Sequence, residues 1–156
     1  MNIRFKIAET SKEFEEGKKL FRQYASSLGI DLSFQNFAHE LNHIDRQYCK
    51  PRGSLLIAYD ETQAIGCAGI REIDNDIAEL KRMFVLKEYQ GHGIGQKLLE
   101  RVIEIAIKLG YKKIRLDTLP NMKQAQHLYR SFGFYDILPY RFNPIEGSIF
   151  MEKQLV

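Results

Sequence analysis

The 156-residue chain has no tryptophan, two cysteines and four prolines, and charges cut every apolar stretch before it reaches bilayer length. Each scarcity removes a class of protein. Cys49 and Cys67 are too few for a disulfide framework, and neither stands in a CxxC or Cys/His cluster of metal-ligand spacing. His39 and His43 share a helical face, but Glu40, Leu41 and Asn42 between them do not spell H-E-x-x-H, so no metal site is expected. Charge of one sign is also scarce. Lys plus Arg exceed Asp plus Glu by 23 to 20, a net +3, without the dense basic patch of a dedicated nucleic-acid binder. The opening MNIRFKIAET has no apolar segment of signal-peptide type, so no membrane association and a cytoplasmic location are expected.

What is present is core material. Forty-four per cent of residues are hydrophobic, including ten Phe and eight Tyr, enough for one packed interior, and the length suits a single domain over 1–156. Alternation over Ile3 to Ala8 predicts a first strand, and Thr10 or Ser11 caps a helix with Phe14, Gly17, Leu20, Phe21, Tyr24 and Leu28 on one face, closed by Gly29. A second helix is expected from Ser33 with Phe34, Phe37, Leu41 and Ile44 inward, then a loop over Asp45 to Gly53. Three strands joined by short polar turns follow (Ser54–Tyr59, Ala64–Glu72, Ile77–Val85), then a long amphipathic helix over Gly93–Leu109. A strand at Lys113–Leu119, a helix at Met122–Ser131 and strands near Tyr135–Leu138 and Ser148–Gln154 complete the pattern. An antiparallel run before a single strand-helix-strand unit predicts an α+β layer fold rather than a doubly wound one.

The densest signal is Gln90-Gly91-His92-Gly93-Ile94-Gly95, after a strand and at the start of the long helix. Glycines let successive N–H groups converge and let a diphosphate approach, and the helix N-terminus adds partial positive charge. For an isolated glycine-rich hexamer, a plain turn into a helix is the favoured reading. The dinucleotide fingerprint G-x-G-x-x-G is not met, because the third glycine comes one place early and position 96 is Gln. Asp117 stands near the distance at which that fingerprint places a ribose ligand, which leaves a nucleotide-binding alternative open.

Glu79-Leu80-Lys81-Arg82-Met83-Phe84-Val85, then Tyr89 to Gly95, then Asn121 and Leu128-Tyr129-Arg130-Ser131-Phe132-Gly133-Phe134 together resemble the acetyl-CoA-binding core of the GNAT N-acetyltransferases. The three pieces stand in that family's order and spacing. With the predicted elements the resemblance runs from about Ile3 to Leu155, and its specific motifs cover Glu79 to Phe134.

The resemblance implies a mixed, mostly antiparallel sheet with helices on both faces, splayed after Val85. It implies acetyl transfer from acetyl-CoA to a primary amine of a small molecule or peptide. The backbone of Met83, Phe84 and Val85 would pair with the pantetheine arm, and an N–H near Phe84 or Val85 would polarise the thioester carbonyl. Gln90, Gly91, His92, Gly93, Ile94, Gly95 and Gln96 would hold the pyrophosphate, with His92 pointing to solvent. Many members carry Arg where this chain has Gln90, which shifts the load onto amides and onto Lys97, Lys123 or Arg130. Asn121 and Gln124 would face the pantetheine or the adjoining phosphate.

Tyr129 matches the tyrosine that acts as general acid toward the coenzyme sulfur; from its stripe alone it reads as a core residue. For the general base, Glu79 is the first candidate, since alternation puts it on one face with Lys81, Met83 and Val85. Read alone, Glu79 is equally a solvated cross-strand partner. Tyr140 and Glu146 are further candidates for the acceptor pocket, and a homodimer, common among relatives, is compatible with the chain. An acyl-CoA-binding regulatory module without turnover is the rival reading.

Overall fold

The computed structural model describes the backbone of residues 1–156 and every side chain except that of Phe34, whose expected place on an apolar helix face therefore lies outside the described residues. In chain order the elements are β1 (Ile3–Ile7), α1 (Ser11–Leu28), a 3-10 turn at Ser33–Gln35, α2 (Phe37–Asn42), α3 (Ile44–Gln47), β2 (Ser54–Asp60), β3 (Gln63–Glu72) and β4 (Ile77–Val85). There follow a 3-10 turn at Lys87–Tyr89, α4 (Ile94–Lys108), β5 (Lys113–Thr118), α5 (Lys123–Ser131), β6 (Tyr135–Ile137) and β7 (Ile149–Gln154). One seven-stranded sheet in the order β1-β2-β3-β4-β5-β7-β6 runs through them, antiparallel except between β4 and β5. The expected mixed, mostly antiparallel sheet with helices is what the chain forms.

Local chemistry explains the boundaries. Thr10 Oγ1 accepts from the Glu13 N–H at 3.2 Å while Glu13 Oε1 accepts from the Thr10 N–H at 3.0 Å, a capping box that starts α1. Gly29, at φ 66°, ends it. The single helix expected from Ser33 is instead three short pieces, because Asn36 takes a left-handed φ of 54° and breaks the run, and helical turns continue to Gln47 where a loop was expected.

β2 is buried from Ser54 to Tyr59 without alternation because helices cover both faces. On one side α1 approaches so closely that a Cβ at Gly17 would lie 2.5 Å from Leu55 Cδ2. On the other, Leu98 of α4 lies 3.3 Å from the Cβ position of Gly66.

Two irregularities at β4 shape everything that follows. The first is its partner exchange. β4 pairs with β5 only over Ile77 to Glu79, after which β5 continues against β7 over its full length, so from Leu80 to Val85 one edge of β4 has no ladder. The second is a bulge: Cys67 opposes Phe84 and Gly69 opposes Lys81, so β4 has one residue more than β3 between these pairs. Arg82 occupies it at φ 58°, a conformation that costs a non-glycine residue roughly 1–2 kcal/mol.

A buried ion pair holds that conformation. Arg82 Nε and Nη2 donate to Glu40 at 3.0 and 2.7 Å, the Tyr48 hydroxyl donates to the same carboxylate at 2.7 Å, and Cys67 Sγ donates to the Arg82 carbonyl at 3.3 Å. Burial pushes the Glu40 carboxyl upward, but the Arg82 guanidinium outweighs it and holds the group below the usual carboxylate range. Tyr48 reaches this position because Gly69 lacks a side chain; a Cβ there would stand 2.5 Å from the ring.

Replacing Arg82 with Met leaves the Glu40 charge buried and unpaired, with an expected loss of about 3–5 kcal/mol in urea unfolding. The double variant E40Q/R82M recovers a large part of it. A single variant as stable as the parent removes the pair from its role in holding the bulge.

Candidate active site

The gap between β4 and β5 gathers the glycine loop, the end of β4 and the first turn of α5. Beyond Val85 the chain turns through Lys87–Tyr89, pinned by the Tyr89 hydroxyl donating to Asp60 Oδ2 at 2.8 Å. Gln90 Nε2 donates to the Val85 carbonyl at 3.0 Å and so ties the loop back to the strand end. One side-chain N–H of Gln90 is thereby engaged with the protein, and its backbone amide closes the preceding turn by donating to the Lys87 carbonyl at 3.2 Å.

Gly91 and Gly93 sit at φ 82° and 78° with nothing within 4 Å of a Cβ, so glycine is required there by backbone angle and not by crowding. α4 begins at Ile94 with no side-chain cap. The N–H groups of Ile94, Gly95 and Gln96 therefore point out of the helix end. A Cβ at Gly95 would meet only Val85 Cγ2 at 4.0 Å, and His92 is exposed, so a ligand can approach the amides closely. This is a fit for a diphosphate: convergent amide donors, the positive helix end and an open approach. The adjoining unpaired edge of β4 from Leu80 to Val85 offers main-chain groups to an extended ligand arm.

Across the gap, Tyr129 on α5 is 6% exposed and packs against Phe134 with ring centroids 5.7 Å apart. Burial, reinforced by Tyr24 and the Asp117 charge, raises the phenol above its usual range, so it keeps its proton at neutral pH. Tyr24 also meets Phe84 edge-on at 5.7 Å and thus links the two walls of the gap. Asn121 and Gln124 are exposed at the start of α5, while Gln126, which was not singled out, holds the turn by donating to the Leu119 carbonyl at 2.8 Å.

On the face toward α1, the bulge alters the expected alternation. Glu79, Lys81 and Phe84 face α1 and its neighbours, whereas Val85 lies against α4. Glu79 is 2% exposed and is not solvated: Tyr140 donates to Oε2 at 2.9 Å, Arg71 pairs with Oε1 at 3.4 Å, and Arg141 pairs with Oε2. Lys81 is buried and donates to Gln35 Oε1 at 3.0 Å. It lines a cavity of about 40 Å³ with Tyr24, Thr118, Asp117 and Asn143. Burial, then the neighbouring Arg82 and Arg71 charges, lowers the Lys81 ammonium to about 7. Asp117 accepts from Asn143 Nδ2 at 3.1 Å, and Glu146 is exposed at a loop tip.

Sequence reasoning gave no role to Lys81, Arg82, Arg71 or Arg141. The one available signal was the Lys81-Arg82 pair inside an otherwise apolar strand, which solvation alone does not explain. Among the described residues no cluster of His, Cys, Asp and Glu could hold a metal ion, and no helix is long and apolar enough to cross a membrane.

A family model described as "Acetyltransferase (GNAT) family" matches residues 18–134. An uncharacterized N-acetyltransferase of Schizosaccharomyces pombe is 35% identical over 99% of this chain and 96% of its own length. Among solved structures, an acetyltransferase from Streptococcus agalactiae superposes with TM-score 0.80 at 23% identity, covering 99% of both chains. An acetyltransferase of the GNAT family from Staphylococcus aureus gives 0.78 at 26% identity, covering 98% of this chain and 100% of that one.

A pH dependence follows from Lys81. Its folded value near 7 lies below the ordinary 10.5, so between them the unfolded chain binds the extra proton and stability rises with pH. Urea unfolding of the parent should gain up to about 1 kcal/mol per pH unit over Lys81→Met from pH 7.5 to 9.5, below tyrosine ionisation. Parallel profiles for the two proteins would show that Lys81 is not depressed.

Proposed function

The chain belongs to the GNAT acetyltransferase family and is an N-acetyltransferase, and we propose that it transfers the acetyl group of acetyl-CoA to a primary amine by direct attack. The observation that carries the donor assignment is the unpaired edge of β4 lying next to the uncapped start of α4. One offers main-chain pairing to a pantetheine arm; the other offers amides to a pyrophosphate. Acetyl-CoA, when bound, supplies an acyl group activated as a thioester.

The residues then divide the work. Gln90 to Gln96 bind the diphosphate through backbone amides, and Asn121 and Gln124 flank the arm. Met83, Phe84 and Val85 orient it, with an amide of Phe84 or Val85 donating to the carbonyl oxygen as charge develops there. Tyr129, kept protonated by burial, donates its proton toward the departing sulfur.

On the acceptor side, Glu79 has both oxygens engaged and orders its neighbours. Lys81, neutral in part near pH 7 and two residues nearer the thioester platform, is the better placed proton acceptor. The acceptor is a small-molecule or peptide amine.

Release of free CoA thiol over a panel of amines tests the reading as a whole. Tyr129→Phe should lower kcat by about 100-fold while the acetyl-CoA dissociation constant from calorimetry stays within about twofold. An undiminished kcat removes Tyr129 from the proton transfer.

A further inference from the structure

A row of charges crosses the sheet at the level where β4 and β5 last pair. The register sets Arg71 of β3 opposite Glu79 of β4, Glu79 opposite Arg115 of β5, and Arg115 opposite Glu152 of β7. Directly opposed residues share one face of a sheet, so the four alternate in sign along a line. Arg115 Nε donates to Glu152 at 2.8 Å and Arg71 reaches Glu79, so the row balances itself.

Arg141, from the segment between β6 and β7, adds a further guanidinium to the Glu79 carboxylate that Arg71 already contacts. Two guanidiniums thus share one carboxylate, and Lys81 lies two residues along the strand. Other acids nearby are committed elsewhere: Glu72 pairs with Arg52 at 3.4 Å, and Asp117 accepts from Asn143.

The two arginine side chains border open space. Arg141 Nε is buried with no hydrogen-bond partner among the described residues. Arg71 Nη1 donates to Gln47 at 2.8 Å, but its guanidinium has further N–H groups to offer. Both arginines line a cavity of about 400 Å³ with Gln35, Glu79, Tyr140, Phe142 and Glu72, the last paired with Arg52. Gln35 also borders the small cavity at Lys81 and so stands between the two spaces.

We propose that the acceptor amine carries a carboxylate, which Arg141 and Arg71 bind in this cavity while the amine reaches past Lys81 toward the end of β4. Planar guanidinium forks suit a carboxylate, and Glu79 holds both in place from behind. Glu79 and Met83 are four residues apart with the bulge between them, roughly 10 Å along the strand, which sets the carboxylate several bonds from the reacting amine. The inference rests on the acetyl-transfer reading above.

The test uses acceptors matched in length, 6-aminohexanoate against hexylamine and glycylglycine against glycylglycinamide. The carboxylate member of each pair should show kcat/KM about tenfold or more above its partner, as expected for a charge-assisted contact. Arg141→Gln and Arg71→Gln should each narrow that ratio to within about threefold, and Arg141→Lys should restore part of it.

Calorimetric binding of the same four compounds to the CoA-free protein gives an independent readout, with the carboxylates again tighter. Equal kcat/KM within pairs, equal binding, or a preference that survives both glutamine variants overturns the proposal. Failure of acetyl-CoA to bind would instead remove the acetyl-transfer reading, and the CoA-free measurement still decides whether the cavity selects carboxylates.

Discussion

The buried contact between Glu40 and Arg82 is the constraint on which the site depends. Arg82 adopts a left-handed backbone inside a strand, and a residue there reverts to an extended path unless its surroundings forbid it. A carboxylate that is 1% exposed, bonded by two guanidinium nitrogens and one phenol, forbids it. The bulge then turns Val85 to α4 and Phe84 to α1, so the last residues of β4 present their free edge to the gap. Gly69, far from that gap in sequence, belongs to the same device because it admits Tyr48.

Electrostatics differ on the two sides of the gap, and each side suits its task. The proposed donor side offers backbone: uncapped amides and an open strand edge, whose hydrogen-bonding capacity does not depend on the surrounding side chains. The acceptor side uses charges taken out of water, where Coulomb interactions are strong and an unbalanced group is costly. Lys81, Arg82, Arg71 and Arg141 crowd there around Glu79 and Glu40. Burial, then the Arg82 and Arg71 charges, lowers the Lys81 ammonium, and Arg141 Nε is left without a hydrogen-bond partner among the described residues.

Periodicity and caps made the fold legible. Thr10, Gly29, the three strands of the meander and the glycine-led start of α4 were readable because each is a local signal set by neighbouring residues. The strand end, the glycine loop and the helix start were legible for the same reason, since they are contiguous in sequence. What was not legible is non-local. The bulge at Arg82 arises from Glu40, forty-two residues earlier, and it invalidated the count that put Glu79, Met83 and Val85 on one face. The engagement of Glu79 by Arg141 depends on how the segment between β6 and β7 folds over the sheet. The break at Asn36 was hidden because asparagine tolerates helical and left-handed conformations alike.

The hydrogen bond from Gln90 to the Val85 carbonyl adds to the ties between the strand edge and the helix start, alongside the Tyr89 contact to Asp60 and the packing of Val85 on Gly95. With it in place, the distance between the helix amides and the strand edge belongs to the protein and not to whatever it binds. On the proposed reading the site would act as a gauge, with a donor admitted for the length of the arm between its phosphates and its acyl group.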